Sequence, residues 1–316
     1  MRTRLIVGGS LAVVIIVLML ADGYLAAHAA PSLTLPMMGI DAGPWLTNGA
    51  ICTLLVLILT VLAANELAYF AQARGYRPFR HTALVFAAAL VIGPYVSFNL
   101  SPFTGGYDES WGMLWMAIAI SCVFMFQAVR RGTEKVMENL AITIFIIFYA
   151  GGLAGFMTKL RMEVGGGTGV ALLLFSIFLV KITDTGAYFA GRLFGRHKMV
   201  PWLSPKKTWE GFAGGMIVTV LCSLAVGHWL HVAGIVRIEE RYMTYPWALI
   251  VLGVLLGVFS VAGDLCASLL KRDAAVKDSG DTLPGLGGVL DILDSPLLAA
   301  PVAWLFWTRM FHVVGG

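Results

Sequence analysis

The sequence predicts an all-α polytopic integral membrane protein with about nine transmembrane helices. Of its 316 residues, 59% are hydrophobic and only 13% are charged, and the mean hydropathy is +0.83. This composition is typical of a chain that crosses a bilayer many times, and it excludes an ordinary soluble domain. The sequence lacks the alternation of a β-barrel, so helices must satisfy the backbone hydrogen bonds within lipid.

Nine apolar stretches approach the roughly 20 residues that a helix needs to cross a bilayer. We expect the first four to be structural, because their interiors lack charge. The nine predicted spans are residues 5–22, 46–66, 82–100, 112–129, 139–158, 170–191, 210–232, 246–270 and 291–313.

Cations alternate between the two sides of the predicted bundle. Sixteen Lys and Arg residues lie at the N-terminus and in the loops after spans 2, 4, 6 and 8, against five on the opposite side. The positive-inside rule therefore predicts a cytoplasmic N-terminus and an external C-terminus. Residues 1–30 could instead be a cleaved signal peptide, since a basic start and an apolar run precede small residues. The cysteines are scattered singly, which indicates neither disulfides nor a zinc site.

Charge interrupts the hydrophobic sequence most strongly between residues 260 and 295. Charge beside a bilayer core is costly, so such a cluster predicts a functional site. Carboxylates among Lys and Arg suit a divalent metal and a phosphate-bearing substrate. The charged residues of this segment are Asp264, Lys271, Arg272, Asp273, Lys277, Asp278, Asp281, Asp291 and Asp294.

Helical spacing divides this segment into two parts. Asp264, Ser268 and Lys271 lie at i, i+4 and i+7, so we expect them on one helix face. Asp291 and Asp294 lie three residues apart where span 9 begins, a geometry that can share a metal. The Gly-rich turn at 284–288 would let backbone approach a ligand closely.

A second polar segment, residues 181–215, lies on the same predicted side of the membrane. Lys181, Asp184 and Tyr188 lie at i, i+3 and i+7, which places them on one helix face. We interpret this face as the wall of a polar cavity, and the alternative is a buried Lys–Asp pair that closes a helix interface. The glycines and cations of residues 191–198 then form a flexible basic turn suited to phosphates.

The stretch Ser204-Pro205-Lys206-Lys207-Thr208-Trp209-Glu210-Gly211 follows this turn. Ser204 is predicted to N-cap a helix. Lys206 and Lys207 would then lie in its first turn, where free N–H groups and the helix dipole attract anions. The alternative is a basic loop that grips lipid headgroups.

These motifs resemble, in order and spacing, those of phosphatidate cytidylyltransferases (CDP-diacylglycerol synthases). The resemblance is carried by Ser268, Lys271-Arg272, Lys277-Asp278, Pro284-Gly285-Leu286-Gly287-Gly288 and Asp291-Ile292-Leu293-Asp294-Ser295. The stretches 184–191 and 204–211 are similar to two further motifs of the family. The chain departs from the family at Leu286, where His is usual, and at Ile292, where Arg is usual. Both departures could alter nucleotide contacts or the lipid that is used.

The resemblance implies that CTP and phosphatidic acid give CDP-diacylglycerol and pyrophosphate with Mg²⁺, and it leaves a second cation open. Because the first four spans lack internal charge, we expect structural transmembrane helices over residues 1–136 and a catalytic transmembrane region over residues 137–316. The candidate catalytic residues are Asp264, Lys277, Asp278, Asp291 and Asp294, with Asp264, Asp291 and Asp294 as metal ligands. The candidates for nucleotide or phosphate binding are Asp184, Lys206, Lys207, Thr208, Glu210, Ser268, Lys271 and Arg272.

We expect a multi-pass protein of the inner or cell membrane, surrounded by membrane lipids, with a site that faces the cytoplasm and no nucleic-acid partner. Its oligomeric state stays open, with a homodimer as one option. One alternative is a CTP-dependent transferase acting on another lipid phosphate. The other is an ion-coupled transporter with Lys181, Asp184 and Asp264 as the coupling site. The lack of an internal repeat and the clustering of charge towards one face disfavour the transporter.

Overall fold

The computed structural model describes residues 2–28, 34–35, 40–41, 43–104, 110–236, 246–276 and 287–310. Over these ranges, nine helical stretches are long and apolar enough to cross a membrane. The predicted class, an all-α polytopic membrane protein, is therefore confirmed.

The helices extend beyond most of the predicted apolar stretches, because their polar ends also adopt helical backbone. The described part of the chain contains two π-helical turns, one at Ile147–Gly152, which joins α6 to α7, and one at Phe306–Met310 after α11. The helices are α1 Arg2–Ala27, α2 Gly43–Thr47, α3 Ala50–Ala73, α4 Arg80–Thr104, α5 Trp111–Arg131, α6 Val136–Ile146, α7 Leu153–Val164, α8 Gly166–Phe194, α9 Trp209–Val232, α10 Trp247–Asp273 and α11 Leu290–Leu305.

Among the described residues, two short antiparallel strand pairs accompany the helices. Strand β1 (Thr34–Leu35) pairs with β2 (Ile40–Asp41), and β3 (Lys198–Val200) pairs with β4 (Ser204–Thr208). The second hairpin occupies the connection between α8 and α9, where the sequence predicts a flexible basic turn.

Helices α8 and α9 approach each other closely because small residues lie along their contact. A Cβ atom at Gly211 would lie 2.8 Å from the carbonyl oxygen of Ala187, and one at Gly215 would lie 2.9 Å from that of Thr183. The hydroxyls of Thr183 and Thr219 share a hydrogen bond of 2.7 Å between the same helices. Small residues of this kind let helix backbones pack tightly within a membrane, and here they bring the start of α9 against the second half of α8.

Helix α10 makes similarly close contacts with α11 and α8. A Cβ atom at Gly263 would lie 2.6 Å from the carbonyl oxygen of Asp294, so a larger residue would force the two helices apart. One turn earlier, the Ser260 hydroxyl donates to the carbonyl oxygen of Val180 in α8 at 3.0 Å. Asp264, next to Gly263, is thereby placed near both neighbouring helices.

A buried carboxylate in α1 contradicts the expectation that the first four spans lack internal charge. Asp22 pairs with Arg161 of α7, with 2.8 Å between Oδ2 and Nε, and both side chains are only 1% exposed. Its other oxygen accepts hydrogen bonds from the N–H groups of Ile51 and Cys52, at 3.0 and 3.2 Å. Free N–H groups at a helix start need such an acceptor, so Asp22 both caps α3 and neutralises Arg161.

Glu66 of α3 is a second buried carboxylate that the expectation missed. Its two oxygens accept hydrogen bonds from the N–H groups of Val289 and Leu290, each at 2.8 Å. Glu66 therefore caps the N-terminus of α11, which carries Asp291 and Asp294. A helix from the N-terminal half of the chain thus helps to position residues predicted for the site, although the division at residue 136 stays a prediction.

Replacing Asp22 with Asn is expected to lower the free energy of unfolding by about 3–5 kcal/mol, because Arg161 would be left as a buried charge without a counterion. Denaturant titration in detergent micelles measures this change. Glu138→Gln is the matched control, since Glu138 pairs with Lys135 at 3.2 Å and its side chain is 45% exposed. The control substitution should lower the free energy of unfolding by less than about 1 kcal/mol. An equal decrease in both variants would refute the role of Asp22.

Candidate active site

Several of the polar residues singled out in the sequence line a cleft of about 260 Å³ between α8, α9, α10 and β4. The cleft therefore joins the two polar segments, 181–215 and 260–295. Its polar lining consists of Asp184, Tyr188, Ser204, Lys206, Lys207, Thr208 and Asp264.

The basic wall of the cleft is a β-strand and not the first turn of a helix. The prediction that Ser204 is an N-cap is wrong, because residues 204–208 pair with β3, with Thr208 opposite Lys198. Helix α9 begins only at Trp209, and its N-cap is Thr208, whose hydroxyl accepts from the N–H of Gly211 at 3.1 Å. Lys206 and Lys207 therefore precede the helix and lie on extended backbone.

Lys207 links this strand to α10. Its Nζ lies 2.8 Å from Oδ2 of Asp264, with side chains that are 21% and 35% exposed, respectively. The same ammonium donates to the carbonyl oxygen of Val261 at 3.4 Å. Neighbouring Lys206 is exposed at the rim of the cleft.

Lys181 of α8 makes its ion pair across helices, with Asp294 of α11. The distance between Nζ and Oδ1 is 3.9 Å, and Asp294 is buried. Oδ1 of Asp294 also accepts from the N–H of Ser295 at 2.6 Å. The partner is not Asp184 and the Lys181 side chain is 41% exposed, so this is not the buried pair of the alternative, whereas Asp184 and Tyr188 line the cleft. Asp184 instead accepts a hydrogen bond of 3.1 Å from the Ser260 hydroxyl.

Three carboxylates from three helices converge at this point. Asp184, Asp264 and Asp294 interact electrostatically with one another, and Lys181 and Lys207 supply opposing charge. Within the described ranges, no group of three or more His, Cys, Asp or Glu side chains could hold a metal ion by itself. Mg²⁺ usually uses only one or two protein carboxylates together with water and substrate phosphates, so the chemistry of one or two of these carboxylates is compatible with that ion.

Asp291 lies in a separate ion pair, with Lys271 of α10. The distance between Oδ1 and Nζ is 2.7 Å, and both side chains are mostly buried. The second oxygen of Asp291 accepts from the N–H of Gly288 at 3.1 Å. Asp291 and Asp294 therefore have different lysine partners, and their sharing of one metal stays a prediction.

Glu210 shapes the basic loop between α8 and β3. Its carboxylate accepts from the N–H groups of Arg196 and His197, and it lies 2.6 Å from Nδ1 of His197. Glu210 therefore orients the loop that carries Arg196 and His197, and its predicted role in phosphate binding stays a prediction.

The other predicted site residues lie in the last part of α10 or outside the described residues. Ser268 is half-buried on α10, and Arg272 is exposed in its last turn. Lys277 and Asp278 lie outside the described residues, as does Leu286.

Two residues that contribute to the site were not predicted from the sequence. Ser260 contacts Asp184, and its position one turn before Asp264 was the available signal. Glu66 caps α11. In the sequence it is a lone carboxylate in an apolar span, which indicates a role because charge within a span is usually functional.

In a comparison with known protein families, the model of the cytidylyltransferase family matches residues 32–310 of this chain. The chain is 30% identical over 265 residues to a phosphatidate cytidylyltransferase of Mycobacterium bovis, covering 81% of this chain and 80% of that protein. It is 35% identical over 185 residues to the enzyme of that name from Staphylococcus saprophyticus, covering 58% and 65% of the two chains. It is 40% identical over 139 residues to the phosphatidate cytidylyltransferase of Haemophilus influenzae, and this match covers 44% of this chain and 46% of that protein.

The region matched by the family model includes every described residue of the cleft. It also includes α3, whose Glu66 caps α11. The resemblance indicated by the sequence motifs is confirmed, and the chain belongs to the cytidylyltransferase family.

Proposed function

We propose that this membrane protein transfers the cytidylyl group of CTP to phosphatidic acid, giving CDP-diacylglycerol and pyrophosphate, and that the reaction needs Mg²⁺. The observation that carries this proposal is the cleft lined by Lys206, Lys207 and Asp264, in which Lys207 pairs with Asp264. Family membership and the names of the curated relatives support the same reaction.

The reaction joins two anions. An oxygen of the lipid phosphate attacks the α-phosphorus of CTP and forms a new P–O bond. The bond from that phosphorus to the oxygen bridging to the β-phosphate breaks, and pyrophosphate leaves with this oxygen. A phosphate monoester is largely ionised near neutral pH, so little base catalysis is needed. Positive charge placed at the transferring group should therefore lower the barrier most.

Lysines of the cleft would supply part of that charge. Lys206 lies at the rim, and Lys207 is held 2.8 Å from Asp264. As CTP enters, Lys207 would exchange its carboxylate partner for a phosphate oxygen, and Lys181 could do the same at Asp294. The ion pairs keep these charges balanced beside lipid until substrate arrives.

The carboxylates would hold the metal ion. We assign Asp264 and Asp294 as its protein ligands, with Asp184 beside them, while Lys271 holds Asp291 at the start of α11. Mg²⁺, when bound, would neutralise charge on the α-phosphate and on the leaving pyrophosphate.

The orientation of the cleft fits this reaction. The cleft lies at the bundle end where α8 finishes and α9 begins, beside the cations of residues 192–207. By the positive-inside rule this end faces the cytoplasm, where CTP is available.

Purified protein with CTP, phosphatidic acid and Mg²⁺ is expected to release pyrophosphate and form CDP-diacylglycerol, and chelation of the metal should stop turnover. Pyrophosphate is measured as the phosphate released after addition of pyrophosphatase. CDP-diacylglycerol is measured by chromatography of the lipid product. A parallel arm with a polyprenyl phosphate tests the second candidate substrate, which Leu286 and Ile292 motivate. Absence of any CDP-lipid across Mg²⁺, Mn²⁺ and Ca²⁺ would refute the proposed function.

Asp264→Asn is expected to reduce kcat by about 10²–10³-fold or more, because it removes charge that orients Lys207 and the metal. Asp273→Asn is the control on the same helix, since Asp273 is 63% exposed and pairs with Arg74 at 3.4 Å. Initial rates of pyrophosphate release compare the two variants. Near-normal turnover of Asp264→Asn would remove this residue from the site.

A further inference from the structure

The β3–β4 hairpin forms one wall of the cleft and carries an exposed tip. Met199, Ser204 and Lys206 line the cleft. Trp202, in the turn between the two strands, does not line it and is 76% exposed, whereas the neighbouring Leu203 is buried. The ring of Trp202 therefore belongs to an outer surface of the protein and not to the packing that shapes the cleft.

The helices on both sides of the hairpin expose stripes that continue up to it. On α9, every fourth residue from Trp209 to Trp229 is exposed, and residues four apart share a helix face. Helix α8 exposes a similar face that ends in its last turn. The large apolar residues of these stripes are Phe178, Phe189 and Leu193 on α8 and Trp209, Ile217, Leu221 and Trp229 on α9. Because both helices are long and apolar enough to cross a membrane, these faces contact lipid, and the hairpin connects two lipid-facing surfaces.

The length of α8 places the hairpin at the level of the lipid headgroups. Helix α8 has 29 residues, which is about 43 Å at 1.5 Å per residue. The hydrocarbon core of a bilayer is only about 30 Å thick, so the last turns of α8 extend beyond it. Strand β3 begins four residues after the helix ends. Tryptophan is enriched at this depth, because its ring is apolar and its N–H is polar.

Exposed cations surround the hairpin. Among the described residues, the ion pairs of this region join His197 to Glu210 and Lys207 to Asp264. The other cations belong to neither pair and are exposed: Arg192, Arg196, Lys198 and Lys206. Their charge is therefore available to a ligand outside the protein.

The acids near the hairpin do not cancel this charge. Glu210 is the only acid in residues 185–210, and the N–H groups of Arg196 and His197 already occupy its carboxylate. Residues 277–286, which connect α10 to α11 outside the described ranges, add one Lys and two Asp, so cations remain in excess. This excess beside a lipid-facing surface is complementary to anionic headgroups of the cytoplasmic leaflet, which the positive-inside rule assigns to this end.

We propose that residues 192–209 form a membrane-docking surface for anionic phospholipid headgroups. Trp202 inserts between the headgroups, while Arg196 and Lys198 bind their phosphates. Because the same hairpin forms a wall of the cleft, docking would hold the mouth of the cleft in the layer where a lipid phosphate lies. The docking itself does not depend on the reaction, and its effect on the use of a lipid substrate rests on the proposed function.

Quenching of tryptophan fluorescence measures the depth of Trp202. The protein is placed in nanodiscs whose acyl chains carry bromine near the headgroup or near the chain end. The emission of Trp202 is the difference between the wild type and Trp202→Phe. We expect it to be quenched, and more strongly by bromine near the headgroup. Trp229→Phe is the matched control, because Trp229 is 59% exposed on the lipid-facing stripe of α9 and sets the quenching expected for a lipid contact.

Two outcomes of this experiment would overturn the docking surface. An unquenched Trp202 would show that water or a second copy of the chain covers the hairpin. Stronger quenching by bromine near the chain end would place the ring in the hydrocarbon core and not among the headgroups.

A charge-neutralising variant tests the headgroup contact. Quenching of Trp202 should be stronger in phosphatidylglycerol than in phosphatidylcholine, and Arg196→Gln combined with Lys198→Gln should remove this difference. Arg77→Gln combined with Arg130→Gln is the control, because it removes the same charge from exposed cations at the same predicted end of the bundle. The control should keep the difference. A difference that survives the hairpin variant, or that both variants remove equally, would refute the role of the hairpin cations.

Steady-state kinetics test the effect of docking on the proposed reaction. Trp202→Ser is expected to raise the KM for phosphatidic acid in bilayers by about ten-fold, because an aromatic ring is lost from the interface. The KM for CTP and kcat should not change, and Trp202→Phe should behave as the wild type. An unchanged KM for the lipid would refute the effect on lipid use. A wild type that is inactive, with Trp202 quenched as expected, would refute the proposed function and leave the docking surface standing.

Discussion

The ion pair between Lys207 and Asp264 is the interaction on which the site depends. Either charge alone would be costly beside a bilayer core, whereas at 2.8 Å each neutralises the other and ties β4 to α10. Lys181 with Asp294 and Lys271 with Asp291 repeat this arrangement on the neighbouring helices. Under the proposed function, the same lysines that balance the carboxylates before CTP binds would hold its phosphates afterwards, so that one set of charges would serve stability and chemistry.

These pairs form because the helices that carry them approach one another closely. Gly211 and Gly215 bring α9 against α8, and Gly263 brings α10 against α11. Glu66 then fixes the start of α11 through two backbone hydrogen bonds. Helix α3, which lies within the region matched by the family model, therefore contributes to the geometry of the site.

Local structure could be predicted from the sequence, whereas contacts between elements far apart in the chain could not. Runs of apolar residues located the spans because a bilayer demands a minimum length. Ser204 and Thr208 both suit an N-cap, and the choice of Thr208 depends on the pairing of β4 with β3. Spacing put Lys181 and Asp184 on one helix face, but the pair with Asp294 depends on how α8 meets α11. The cap at Glu66 joins residues 223 positions apart, which no local pattern reveals.

A structure determined with CTP and Mn²⁺ is the most direct test of the site, since anomalous scattering locates the Mn²⁺ ion independently of the protein. We expect the ion on the carboxylate of Asp264 and the triphosphate against Lys206 and Lys207, with Lys207 displaced from Asp264. A bound Mn²⁺–CTP complex elsewhere on the protein, with the pair of Lys207 and Asp264 intact, would contradict the proposed site.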